Sequence, residues 1–250
     1  MSNSLTILIP TSPIPSHPET TILDETIINI RKYSSAKIIL LCDGVHEKLS
    51  HRTEDYDSYK NAVYLKMLAG DYGDFEMKVF SHHRHQSGMM QEILPEIETD
   101  LVFFVEHDCH IGGGYIPFKD ICEIVSDFDD NHYGVNYVRF HIFDSVLPEH
   151  KYLMLQDRPD YIGDVPLLPT IQFSARPFIC KTKWFKDILW TYFNDGKRMM
   201  LEDRMHSIVQ QKYKALGFDT FGLYIYAPDG SMLHSFTSDG RKDDPKIIEA

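Results

Sequence analysis

The sequence predicts an α/β fold: a mostly parallel, Rossmann-like central sheet flanked by helices, in a single domain over residues 1–250. Three observations lead there. Runs such as LTILI (5–9), KIILLC (37–42) and LVFFV (101–105) are almost continuously apolar, as strands buried on both faces are. Segments with helical spacing separate them, and strand–helix alternation is the pattern of a parallel sheet. Each run then ends in polar residues: Pro10 and Thr11, Asp43 and Gly44, and Glu106, His107 and Asp108. Ligands of such sheets bind beyond the carboxyl ends of the strands, so the three polar ends predict one crevice.

The elements follow in order. LTILI leads into the proline-rich loop PTSPIPSHPE. Ser16 with Glu19 three residues later reads as a capping box, with Pro18 in the first turn. Leu23, Ile27 and Ile30 keep helical spacing through Lys32, and KIILLCDG is the second strand. Tyr59, Ala62, Val63 and Met67 predict the next helix. MKVF opens a strand that runs into the polar loop SHHRHQSG, and MMQEILPEI predicts a helix bent or ended near Pro95. After LVFFV, the residues Phe118, Ile121, Val125 and Phe128 mark a helix, and NYVRFHIF a strand. QDRPDYIGDVPLLPT is rich in proline and aspartate and reads as a loop. FSARPFICKTKWFKDILWTY predicts a strand passing into a helix. LEDRMHSIVQQKYKALG predicts a helix stopped by Gly217, and a polar tail begins at Asp229. There is no internal repeat and no clean linker.

Hydrophobic residues make up 43% of the chain, enough for a substantial core. The net charge of −12 excludes a sequence-independent nucleic-acid binder, whose phosphate contacts need a basic face. It also means that an anionic ligand needs local cations or a metal. Cys42, Cys109, Cys122 and Cys180 form no CxxC pair and read as buried thiols. No signal-peptide pattern opens the sequence, and no apolar run approaches the ~20 residues of a membrane span. The expectation is a soluble, cytoplasmic protein without a transmembrane segment.

The stretch LVFFVEHDCHI poses the central question, because burial penalises charge that is neither paired nor metal-bound. On an extended strand Glu106 and Asp108, two apart, would face the same way, with His107 opposite. A carboxylate pair on one side can hold a hard cation such as Mn²⁺ or Mg²⁺. The three histidines of SHHRHQSG lack the partner spacing of a structural zinc site and read as a solvated loop. LEDR puts Glu202 and Asp203 in the first turn of a helix, where the helix dipole alone would favour acids.

The order ILIPTSP, helix, IILLCDG, then FVEHD resembles a GT-A fold glycosyltransferase, closest to the broad family 2 pattern of nucleotide-sugar transferases. The likeness is strong over 5–111 and loose beyond, and Glu106 stands where the family has its first Asp. It implies a nucleotide-binding half over 1–111, and an acceptor-binding half with the C-terminal tail over 112–250. Pro10 and Thr11 would line the nucleotide, and Asp43 would contact the base or ribose. His107 would lie beside the donor, and Arg84 would contact the diphosphate or sugar. Asp108 would be the principal metal ligand, with Glu106 on the metal, a water or the ribose. His234 would complete the metal shell, and Arg241 and Lys242 would set positive charge against the diphosphate. Asp203 would be the general base, with Glu202 in reserve. Trp184, at a helix start, is a candidate platform for an acceptor sugar.

The implied activity is inverting, metal-dependent transfer of a sugar from a nucleotide-diphosphate donor to a hydroxyl of a glycan or glycoconjugate acceptor. Two alternatives remain. A sugar nucleotidyltransferase would need a glycine-rich first loop for its triphosphate, and TSPIPSHP has no glycine. A non-catalytic carbohydrate-binding protein would have no use for the acid triplet, the acid pair and the late histidine together.

Overall fold

The structure is a computed structural model and describes residues 4–111, 115–126, 134–141, 146–226 and 234–236. Its strands are β1 (Leu5–Thr11), β2 (Lys37–Cys42), β3 (Phe75–Val79), β4 (Leu101–Phe104), β5 (Cys109–Ile111), β6 (Tyr137–Phe140), β7 (Asp160–Ile162), β8 (Val165–Pro169), β9 (Phe178–Lys181), β10 (Leu223–Tyr226) and β11 (His234–Phe236). The helices are α1 (Thr21–Arg31), α2 (Thr53–Ala69), α3 (His85–Ile93), α4 (Phe118–Ser126), α5 (Thr182–Tyr192), α6 (Leu201–Leu216) and the short α7 (Phe218–Phe221).

A nine-stranded sheet runs in the order β3-β2-β1-β4-β9-β6-β10-β8-β7. β1 pairs in parallel with β2 and β4, β2 with β3, and β6 with β10. β9 lies antiparallel between β4 and β6, and β8 lies antiparallel between β10 and β7. Within this sheet all strands except β8 and β9 therefore point the same way, and the mostly parallel sheet predicted from the apolar runs is present. One core face holds Leu23, Ile27 and Ile30 of α1, Tyr59 and Val63 of α2, and Ile121 and Val125 of α4. The other holds Met90 and Ile93 of α3, Phe185 and Leu189 of α5, and Met205 and Val209 of α6. Helices thus cover both faces, which is why β1, β2 and β4 read as almost continuous apolar runs.

Several local expectations are corrected. The helix after β1 starts at Thr21, not near Ser16. Thr20 occupies the cap position and its hydroxyl donates to Asp24 Oδ2 (2.8 Å), while Ser16 sits in a turn closed by Glu19 N–H to its carbonyl (3.1 Å). The segment read as a loop contains the hairpin β7–β8, turned at Gly163 with φ +59°. Its strands are only three and five residues long, and the prolines masked them. The helix predicted from MMQEI starts earlier, at His85, and passes at Pro95 into a 3-10 turn over Leu94–Glu96. Phe128, the last residue of the expected fourth helix, lies outside the described residues. No helix of the described residues is long and apolar enough to cross a membrane.

Candidate active site

A crevice of about 1220 Å³ opens beyond the carboxyl ends of β1, β2 and β4. Pro10, Thr11, Asp43, Glu106, His107 and Asp108 all line it, so the three polar strand ends do converge.

The register explains the convergence. Thr11 stands opposite Cys42, and the ladder continues as Asp43 N–H donates to Thr11 O (2.9 Å) and Val105 N–H to Leu8 O (3.0 Å). Beyond Val105 the chain leaves the strand. Cys109 N–H returns to Glu106 O (3.0 Å), so residues 106–109 form a turn. The expectation that Glu106 and Asp108 share a face of an extended strand is therefore corrected; a turn presents both to the crevice. Asp108 is 8% exposed and His107 is 6% exposed. Buried Thr26 of α1 donates to His107 O (2.8 Å) and braces the turn from behind.

Asp43 is 2% exposed and has a role that the sequence did not indicate. Its Oδ1 accepts from the N–H groups of Gly44 (2.8 Å) and Arg84 (2.6 Å), and its Oδ2 from His85 N–H (2.9 Å). His83 Nδ1 lies 2.9 Å from the same Oδ2. The carboxylate thus pins the 83–85 loop, and His85 holds a left-handed φ of +59° beside it. Side chains rarely adopt such a backbone, and it persists where surroundings over-determine it. Gly44 permits the same approach: a Cβ there would lie 2.1 Å from the backbone carbon of His82.

Arg84 is also corrected. Its backbone serves the loop, but its guanidinium pairs with Glu92 of α3 (3.2 Å) and Arg84 does not line the crevice. Arg198 lines the crevice instead, with Lys48, His46, His83 and His85. Arg198 donates to His83 O. Burial pulls the His85 imidazole below its ordinary range, and neighbouring His83 adds to this; Asp43 and Asp203 pull against it.

Gln86 was not singled out by any sequence pattern. Its Nε2 donates to Glu106 Oε1 (2.7 Å) and its Oε1 accepts from Leu201 N–H (3.3 Å). Ser87 and Met199 exchange two further bonds, Ser87 N–H to Met199 O (3.1 Å) and Met199 N–H to Ser87 Oγ (3.0 Å). The start of α3 therefore laces the start of α6, and with it Glu202 and Asp203, to the 106–109 turn. The two acids differ: Glu202 Oε2 accepts from Ser174 Oγ (2.8 Å) and Ala175 N–H (3.0 Å), whereas Asp203 is exposed.

Trp184 is a core residue, not a sugar platform. It is 8% exposed, its ring packs near Tyr137 and Phe185, and its indole N–H donates to Thr220 O (3.3 Å). His234 lies on β11, whose backbone pairs it with Ile111 of β5, the strand that leaves the 106–109 turn. Arg241 and Lys242 lie outside the described residues. Among the described residues no group of three or more His, Cys, Asp or Glu is placed to hold a metal. The donors present are the carboxylates of Glu106 and Asp108, both hard oxygen ligands. They fit an ion that takes one or two protein carboxylates and completes its shell with water and substrate phosphate.

No family model matches this sequence, and no curated protein matches it. Solved structures do resemble it in fold. A mannosyltransferase of Pyrobaculum calidifontis, solved with GDP-Man and Mn²⁺, superposes with a TM-score of 0.55 at 13% identity, over 91% of this chain and 57% of its own. S. aureus TarS (1–349) gives 0.56 at 10% identity, over 96% and 62%. GalNAc-T7, solved with UDP, GalNAc and Mn²⁺, gives 0.55 at 11% identity, over 90% and 42%. This chain thus spans roughly half the length of those proteins. At such identities the likeness concerns fold, and the fold of this chain is the GT-A fold shared by these glycosyltransferases.

Proposed function

We propose that this chain is a metal-dependent glycosyltransferase that moves a sugar, with inversion, from a nucleotide-diphosphate donor to a hydroxyl acceptor. The observation that carries the reading is the convergence, in a GT-A fold, of the β1, β2 and β4 ends on one crevice with an acid-bearing helix start tied to its floor. The neighbours solved with GDP-Man or UDP and with Mn²⁺ support a nucleotide-sugar donor and a divalent ion.

Asp108, with Glu106, would hold the ion. The bound ion supplies Lewis-acid stabilisation of the charge that develops on the departing nucleoside diphosphate. Pro10 and Thr11 border the nucleotide. Lys48 and Arg198, and not Arg84, bring positive charge to the crevice of an otherwise acidic protein. Asp43 acts through the 83–85 loop that it fixes. Asp203 is the general base that takes the acceptor hydroxyl proton. Glu202 is engaged by Ser174 and Ala175, and this supports Asp203 over it.

The experiment is a screen of UDP-, GDP- and dTDP-sugars with Mn²⁺ or Mg²⁺, followed by separate measurement of donor affinity and transfer in variants. Asp108→Asn should lose metal-dependent nucleoside diphosphate binding in calorimetry while keeping its circular dichroism. Asp203→Asn should keep donor binding and lose transfer by about 10²- to 10⁴-fold, the usual contribution of a general base. Unchanged nucleotide affinity in Asp108→Asn would remove the metal assignment. Near-wild-type transfer in Asp203→Asn, or a larger loss in Glu202→Gln, would remove the base assignment.

A further inference from the structure

β3 ends the nine-stranded sheet, and among the described residues no strand pairs with its outer side. Ile38 N–H donates to Asp74 O, and Phe80 N–H donates to Cys42 O. In a parallel ladder with this register, residues 74, 76, 78 and 80 turn their backbone groups inward to β2. The N–H and C=O groups of Phe75, Met77 and Val79 therefore point outward, and a row of outward groups is a template for another strand.

The sequence of this edge, FEMKV, is complementary to itself when antiparallel. Centred on Met77, an antiparallel pair of β3 strands sets Met77 opposite Met77, Phe75 opposite Val79, and Glu76 opposite Lys78 in both directions. The outward-bonding residues fall opposite one another, as hydrogen-bonded pairs require. Glu76 and Lys78 fall in the closer, non-hydrogen-bonded positions. Within the chain Glu76 already meets Lys37 (2.5 Å) and Lys78 meets Glu96 (3.0 Å), so pairing would extend an alternating row of charges across the junction. On the other face Val79 is 53% exposed, and Tyr64 of α2, 48% exposed, borders the same groove as Phe75, Met77 and Val79. Apolar side chains on one face and opposite charges on the other suit one occupant.

We propose that β3 is a homodimer interface, in which a second copy of this chain adds its own β3 antiparallel about a two-fold axis through Met77. The contact is isologous: residue 76 meets 78, and 78 meets 76. Charge reversal distinguishes this arrangement from other associations. Glu76→Lys alone sets lysine against lysine, and Lys78→Glu alone sets glutamate against glutamate. Mixing the two variants sets lysine against glutamate in both pairs.

The test is sedimentation velocity of the full chain up to ~100 µM. The wild type should sediment as a dimer. Each single variant should self-associate at least about tenfold more weakly, from two attractive pairs turned repulsive. An equimolar mixture should recover the dimer. Separately, Met77→Cys should give a disulfide-linked dimer on mild oxidation, a readout that does not depend on the folding of the charge variants. A monomeric wild type, a Lys78→Glu protein that dimerises like wild type, a mixture that stays monomeric, or a Met77→Cys protein that does not cross-link would each overturn the proposal.

Discussion

Replacing Asp43 by asparagine separates two roles that the sequence could not tell apart: contact with a nucleotide, and construction of the crevice wall. Asparagine keeps the size but turns one acceptor oxygen into a donor amide. In the native arrangement three backbone N–H groups, those of Gly44, Arg84 and His85, converge on the carboxylate. The single remaining oxygen can serve Gly44 and Arg84, which share Oδ1. The new NH₂ then faces His85 N–H, donor against donor. Hydrogen bonds to a charged group contribute about 1.5–3 kcal/mol each, and a buried N–H left unsatisfied costs about 1–3 kcal/mol. The lost bond and the lost charge at the other two amides together predict destabilisation of about 3 kcal/mol. The left-handed backbone of His85 loses its tether in the same step. Urea unfolding followed by tryptophan fluorescence reads the global term, and limited proteolysis within 82–85 reads the local one. A variant within 1 kcal/mol of wild type by urea, with an equally protected loop, would show that the carboxylate is not the loop's anchor.

Gly44→Ala should cost about 2–4 kcal/mol, because its methyl would meet backbone atoms of His82 and His83 that cannot rotate away; an unchanged melting temperature would contradict the close approach. His17 stacks on Tyr59 (3.9 Å between ring centroids), and Ile14 N–H donates to its Nδ1 (3.3 Å). Burial first, then His107 and Arg52, hold its pKa down at about 3. Below pH 6.5 the unfolded chain takes up a proton that the folded chain refuses, so stability falls with pH at up to about 1.4 kcal/mol per unit, or about 2 kcal/mol by pH 5. His17→Phe should flatten that limb of the stability profile between pH 6.5 and 5, and an equal slope in both proteins would refute the assignment.

What the sequence revealed about the fold depended on how completely each element is buried. β1, β2 and β4 are covered on both faces, so their residues form almost continuous apolar runs, and the polar residues at their ends locate the crevice. β7 has exposed or half-buried residues throughout and β8 begins and ends near prolines, so their hairpin gave no comparable pattern. The antiparallel β9 is nearly as buried as β4 and β6 on either side of it, and strand direction leaves no trace in so short a run. Within the site, the acids at positions 43, 106 and 108 stood out because charge beside an apolar run needs a reason, whereas Asp203, in a helix first turn where acids are ordinary, stood out only through the family resemblance. The geometry of their partners did not. Whether Arg84 turns toward the crevice or toward Glu92 depends on its place at the start of α3, and Trp184 joined the core because β6 supplies Tyr137 beside it.

Gln86 shows why the connection between the two acidic motifs was the least legible feature. Residues 106 and 201 lie far apart in sequence, and the residue joining them must donate to a carboxylate and accept from a backbone N–H at the same time. Of the long side chains only glutamine has both ends: a glutamate would repel Glu106, and a lysine or arginine could not accept from Leu201. Its neutrality also matters, because a cation on Glu106 would compete with a divalent ion for the same oxygens, whereas an amide proton orients the carboxylate and leaves its charge in place. The amide resembles the outer partners that orient metal-binding side chains elsewhere. It couples the turn that would hold the ion to the helix start that would hold the base. In a sequence such a residue is an ordinary polar residue in a loop; only the fold brings its two partners within reach.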